Sequence, residues 1–195
     1  MGGIIKKYKA IVIGTSAGGL ETVQRVINGL SSSFMLPIIL VQHTIPENDF
    51  LYYIDHLKKF CSLNIKVADE KEAILPSNLY IAPANYHLLI EQNFTFSLNI
   101  DKKVKFCRPS IDILFETAAY AYKEKLLAVI LSGANSDGTD GMKIIKKCHG
   151  YTIAQKPDEA YSKVMPQSAI KENVADEILS AEEINKYFKS LIKTE

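Results

Sequence analysis

Three stretches of this chain, Ala10 to Ile13, Leu36 to Gln42 and Leu126 to Leu131, carry no charged residue and end in polar, turn-forming segments. A strand wetted on one face alternates apolar and polar residues, whereas these must be covered on both faces. That is the condition of a parallel sheet lying between two layers of helices. The residues after the first stretch agree. Gly14 opens a tight turn, and Leu20, Val23, Val26 and Ile27 then recur with the spacing of one helical face.

The rest of the chain repeats the alternation. A helix is predicted over Asp49 to Phe60, and short strands over Ile65 to Val67 and Leu79 to Ile81. Alternating segments at Tyr86 to Ile90 and Phe94 to Leu98, separated by Glu91-Gln92-Asn93, predict an antiparallel hairpin. Pro109 stands where a helix would begin, and its apolar stripe of Ile113, Leu114, Ala118 and Ala121 runs to Tyr122. A helix through Lys147, closed by Gly150, follows the third apolar stretch; then come a strand from Tyr151 to Ala154 and a terminal amphipathic helix from Glu182 to Ile192. The expected fold is α/β: a single three-layer, doubly wound domain with a mainly parallel sheet and an antiparallel hairpin. Right-handed crossovers would bring its functional loops to the carboxyl ends of the strands. A chain of 195 residues fits one domain, with its core from about residue 9 to residue 192.

Composition removes several classes of function. The net charge of +1 and the absence of Trp offer neither a general field nor a stacking platform for nucleic acid. No apolar stretch reaches the roughly 18 residues of a membrane helix, and Met1 to Lys6 does not lead into a secretory signal, so a cytoplasmic protein without membrane insertion is expected. Cys61, Cys107 and Cys148 are odd in number and form no C-x-x-C pair, which speaks for reduced thiols and against a disulfide framework or a thiolate zinc site.

Gly14-Thr15-Ser16-Ala17-Gly18 satisfies G-x-S-x-G between a strand and a helix, where small neighbours permit a strained turn that lifts the serine hydroxyl above the sheet. The same residues also suit a glycine-rich packing turn, or a helix N-terminus that holds a phosphate. Both named nucleotide fingerprints fail, because Ser16 replaces the second glycine of G-x-G-x-x-G and no Walker lysine follows. A nucleophilic serine needs a base. His43 directly follows the strand Leu36 to Gln42, on the rim expected for Ser16. By contrast, His56 lies within a helix beside Lys58 and Lys59, and His149 reads as a residue near a helix C-terminus. Asp137, in the loop after Leu126 to Leu131, completes a set from three strand ends as the acid that orients the base. Asp137 and Asp140 also suit the first turn of a helix, and an Asn135, Asp137 and Asp140 cation site lacks the calcium-loop spacing.

With these residues in place, the sequence resembles the chemotaxis receptor methylesterases, the protein-glutamate methylesterase or CheB catalytic-domain family. The resemblance is carried by Ile13 to Gly19, Val41-Gln42-His43, Ile81-Ala82-Pro83 with His87-Leu88, Arg108 to Phe115, Leu131-Ser132-Gly133 through Asp137-Gly138 to Gly141-Met142, and Met165-Pro166 with Ala169-Ile170. It implies Ser16 as nucleophile, His43 as base and Asp137 as orienting acid. It further implies hydrolysis of glutamate methyl esters on the cytoplasmic domains of methylated chemoreceptors, with methanol released and glutamine deamidation open to the same chemistry. No metal or organic cofactor is expected.

Backbone N–H groups near Ala17 and in the Ala134 loop are candidates for an oxyanion hole; these positions often hold threonine and methionine in the family. Arg108, one of the two arginines, suits either a grip on a receptor carboxylate or a pair with Asp112, and His87 and Met165 are candidate groove walls. Well-known members carry an N-terminal receiver domain for which 195 residues leave no room. The expectation is therefore a catalytic domain without a receiver, acting alone or under a separate regulatory protein, or else cut from a longer chain. A catalytically silent anion- or nucleotide-binding module, and an acyl hydrolase acting on another ester, are the alternatives.

Overall fold

The computed structural model describes residues 8–43 and 49–192; the segment read from Met1 to Lys6 lies outside them. Seven strands form one sheet: β1 (Ala10–Thr15), β2 (Ile38–Gln42), β3 (Asn64–Val67), β4 (Asn78–Ile81), β7 (Leu126–Ile130), β8 (Tyr151–Gln155) and β9 (Glu177–Leu179). Their order is β3-β4-β2-β1-β7-β8-β9, and every neighbouring pair is parallel. The expected hairpin is a separate antiparallel pair, β5 (His87–Ile90) and β6 (Phe96–Asn99).

The doubly apolar strands divide their residues between two cores. Ile11, Ile13, Ile38, Leu40, Leu127 and Val129 face one side, which is covered by α1 (Gly19–Ile27), α2 (Phe50–Leu57) and α6 (Ala181–Ser190). Ala10, Val12, Ile39, Val41, Ala128 and Ile130 face the other, covered by α3 (Ile111–Tyr122), α4 (Thr139–Lys147) and α5 (Val164–Lys171). Fully burying one such aliphatic side chain stabilises by about 1.5–3 kcal/mol, which fixes the register, because a one-residue slip would exchange the faces.

Several details differ from the sequence reading. The third helix starts at Ile111 with Ser110 as its N-cap rather than at Pro109, because the Ser110 side chain accepts the Ile113 N–H. Gly150 does not turn α4; the left-handed residue there is His149, at φ 65. The helix α5 and strand β9 were not anticipated. Pro166 disguises α5, but it lies in the first turn, where a missing N–H breaks no helical bond. β9 has only three residues, none fully buried.

The chain passes from β1 to β2, on to the edge strand β3 and back to β4 on one side, and then outward through β7, β8 and β9 on the other. The order reverses between β1 and β7, and the carboxyl ends of these strands flank the crevice where α/β proteins bind ligands.

Candidate active site

Ser16 follows β1 and His43 follows β2. Thr15 and Gln42 are partners in the parallel ladder, and His43 N–H continues it by donating to Thr15 O at 3.1 Å. The two candidates therefore leave strands about 4.8 Å apart at the same height. Ser16 N–H donates to Ser132 O at 2.8 Å, and Ser132 Oγ donates to Ala17 O at 2.6 Å, tying the serine turn to the end of β7. The Gln42 side-chain amide donates to Ser16 O at 2.8 Å and to His43 O at 2.9 Å, so one buried group holds both loops. Gly14 is required because a Cβ there would run into Ile111.

His43 Nε2 lies 2.8 Å from Asp137 Oδ2, with His43 3% exposed and Asp137 0%. An ionised carboxylate only accepts, so Nε2 carries the proton and Nδ1 is left as the acceptor. The carboxylate is fully engaged. Oδ2 also accepts Ile111 N–H at 2.7 Å, while Oδ1 accepts Ser110 Oγ–H and Asp112 N–H, both at 3.0 Å. Burial alone would raise the Asp137 carboxyl. The bonds from His43 and from the start of α3 outweigh it and hold the group below the ordinary carboxylate range.

Asp137 thus serves the N-terminus of α3, not of the helix that follows it in sequence. Asp112, in the first turn of α3, returns the arrangement: its Oδ1 accepts Gly138 N–H and Gly141 N–H of α4, both at 2.8 Å. Burial raises the Asp112 carboxyl despite Lys105 Nζ at 2.8 Å. Lys105 also reaches Asp140 and Ser136 O. Asn135, Asp137 and Asp140 do not converge on a cation position, since Asp140 turns to Lys105 and Lys143 and Asp137 to α3.

Ser16 Oγ makes no hydrogen bond to His43 among the described residues; Cys107 Sγ lies 3.5 Å from Nδ1. Such bonds often tighten only when substrate is bound. Ser16, Ala17 and Gly18 to Glu21 line a cavity of about 310 Å³ together with Gln42, Asp49, Tyr52 and Tyr53. Among the described residues no side chain caps the N-terminus of α1, and the backbone beside Ser16 lines this cavity at the positive end of the helix. Ala134, the other backbone candidate, is exposed.

The three groove candidates are not among the residues that line this cavity. His87 is fully buried and accepts Ser110 N–H at Nδ1, and burial lowers its pKa. Met165 is fully buried against Gly133. Arg108 does not pair with Asp112: its Nη1 donates to Ile100 O and Asp101 O, while Lys105 holds Asp112.

Sequence reasoning passed over Cys107, Gln42 and Asp112. A glutamine ending an otherwise apolar strand signals a buried amide with work for its donors, but nothing local marks the other two.

The family model described as CheB methylesterase matches residues 11–188. A Leptospira interrogans protein is 47% identical over 181 residues, which is 93% of this chain and 93% of that protein; its name gives protein-glutamate methylesterase/protein-glutamine glutaminase as a provisional assignment. A Pseudomonas putida protein named protein-glutamate methylesterase/protein-glutamine glutaminase is 33% identical over 183 residues, 93% of this chain and 48% of that protein. The crystal structure of the Thermotoga maritima CheB methylesterase catalytic domain superposes with a TM-score of 0.89 at 34% identity, covering 95% of this chain and 99% of that one.

Proposed function

The chain belongs to the CheB methylesterase family, and on that footing we propose that it hydrolyses glutamate methyl esters on chemoreceptors through Ser16, His43 and Asp137. The observation that carries the assignment is the buried 2.8 Å contact between His43 Nε2 and Asp137 Oδ2, directly beside the Ser16 turn.

Ser16 Oγ attacks the ester carbonyl while His43 Nδ1 takes its proton. The imidazolium that forms is stabilised by Asp137 across Nε2–H. The developing oxyanion is received by backbone N–H groups at Ala17 and along the uncapped start of α1, with the Ala134 loop opposite; one such donor is worth about 2.7–4 kcal/mol in the transition state. The same proton, returned to the leaving oxygen, releases methanol. Water activated by His43 then frees the glutamate. A glutamine side chain enters the same cycle with ammonia as the leaving group, in keeping with the second activity in the relatives' names.

The partners in this reading are the cytoplasmic domains of methylated receptors, with residues 1–195 acting as one catalytic domain. No helix among the described residues is long and apolar enough to cross a membrane, which suits a cytoplasmic enzyme that meets receptors at the inner surface.

The test is methanol release from methylated receptor membranes. Wild-type protein is expected to release it, and a folded Ser16→Ala variant to lose about 10³-fold or more. Equal release by both proteins would remove Ser16 from the mechanism. No release by either, in membranes that a known methylesterase demethylates, would remove the substrate.

A further inference from the structure

Cys107 stands 64 residues from His43 in sequence, yet its Sγ lies 3.5 Å from His43 Nδ1, the nitrogen that the proposed mechanism assigns to the serine proton. Asn135 Nδ2 donates to the same sulfur at 3.2 Å, which partly offsets the burial that pushes the Cys107 thiol up. Candidate ligand atoms of His43, Cys107 and Asp137 all lie within 4.8 Å of one another. Among the described residues neither Cys61 nor Cys148 belongs to such a cluster.

The spacing of this thiol–imidazole hydrogen bond is also that of two zinc ligands. Zinc holds sulfur at about 2.3 Å and imidazole nitrogen at about 2.0–2.1 Å, and two such ligands at a tetrahedral angle stand about 3.5 Å apart. Behind the ring, Asp137 accepts from Nε2–H at 2.8 Å, which is the carboxylate–histidine–zinc arrangement that orients a metal-binding imidazole. Asp137 itself has no oxygen to spare, since both already accept backbone or hydroxyl donors. It therefore supports the ring instead of binding the ion. Cys107 is half-buried while His43 and Asp137 are buried, so an ion enters from the sulfur side. The absence of a C-x-x-C pair excludes a closed thiolate site, but not a mixed sulfur and nitrogen site assembled across the fold.

We infer that Cys107 Sγ and His43 Nδ1 form a reversible Zn²⁺ site, and that the bound ion inhibits hydrolysis by occupying the nitrogen that Ser16 requires. This rests on the reading of His43 as the base. Binding exchanges the thiol proton for a sulfur–zinc bond and releases the proton to solvent. Two protein ligands among the described residues are fewer than the four of a structural zinc site, which makes the site an exchangeable one.

The experiment measures ester hydrolysis by metal-free protein during titration with Zn²⁺, and in parallel the absorbance of the same protein titrated with Co²⁺. Zn²⁺ is expected to inhibit the wild type, with recovery on adding a chelator. Cys107→Ala is expected to retain its metal-free activity and to need about tenfold or more Zn²⁺ for equal inhibition, whereas Cys61→Ala should behave as wild type. Co²⁺ should give a thiolate-to-metal charge-transfer band with wild type and none with Cys107→Ser. Equal zinc sensitivity of wild type and Cys107→Ala, or a cobalt spectrum without that band in wild type, would overturn the site. Should either cysteine variant fail to fold, the wild-type cobalt spectrum still decides. Metal-free protein that hydrolyses no ester would sink the esterase reading, leaving the cobalt titration to judge the metal site separately.

Discussion

The helices α1 and α4 begin alike and are used in opposite ways. Each has a left-handed glycine as its N-cap, Gly18 at φ 74 and Gly138 at φ 98, and each follows a central strand. At α4 the first N–H groups are closed by the Asp112 carboxylate, just as those of α3 are closed by Asp137. At α1 no side chain among the described residues caps the helix, and its first turn opens on the cavity beside Ser16. A helix start carries about half a positive charge. Where a carboxylate answers it the result is a rigid joint, and where none does the start can meet a negative charge that appears only during reaction.

Substitutions test this contrast. Asp137→Asn should have the largest effect, because it removes the charge that stabilises protonated His43 and permits the wrong tautomer; methanol release should fall by about 10⁴-fold. A loss of less than tenfold would mean that the carboxylate serves only as the cap of α3. Asp112→Ala should act on stability, since it leaves Gly138 N–H and Gly141 N–H buried without an acceptor. A cost of about 3 kcal/mol, seen as a fall in Tm of about 6–12 °C, is expected. An unchanged Tm would break the comparison at α4. Ser110→Ala removes the N-cap of α3 and should cost about 1 kcal/mol, or about 2–4 °C.

The smallest effect is one of pH. The Asp137 carboxyl is depressed in the folded protein, so its stabilisation is complete above the ordinary value of about 3.9 and is lost as pH falls through its folded value. The Tm gap between wild type and Asp137→Asn should therefore stay level near neutrality and narrow in acid. Asp112, whose carboxyl is raised, has the opposite sign: its ionisation opposes folding as pH rises from the ordinary value through the folded one. A gap that widened in acid would reverse the assignment of which carboxylate is favoured by its donors.

What the sequence discloses follows from how local the signal is. Ile11, Ile39 and Val129 lie in runs with no polar alternation, so the sheet and its two covers are legible from the residues alone. The same logic places Ser16, His43 and Asp137 at three strand ends, because each directly follows such a run or its loop. The reciprocal carboxylates are not legible in this way. Asp112 reads as an acid in the first turn of its own helix, and only the packing of α3 on α4 turns it to Gly138. Cys107 is equally silent, its approach to His43 being made by a loop 64 residues away. Arg108 misleads because backbone carbonyls at Ile100 and Asp101 are as acceptable to a guanidinium as the carboxylate one turn on.

The span between His43 and Asp137 has a consequence in time. The two are 94 residues apart, so a ribosome adding about 5–20 residues per second completes His43 roughly 5–20 s before it adds Asp137. For most of that interval β7, which pairs with β1, has not been made, and until its end the start of α3 has no Asp137 carboxylate to meet. On the proposed mechanism the orienting carboxylate therefore arrives late in synthesis, together with the element that locks two helices in place, and a chain that stops short of residue 137 lacks it.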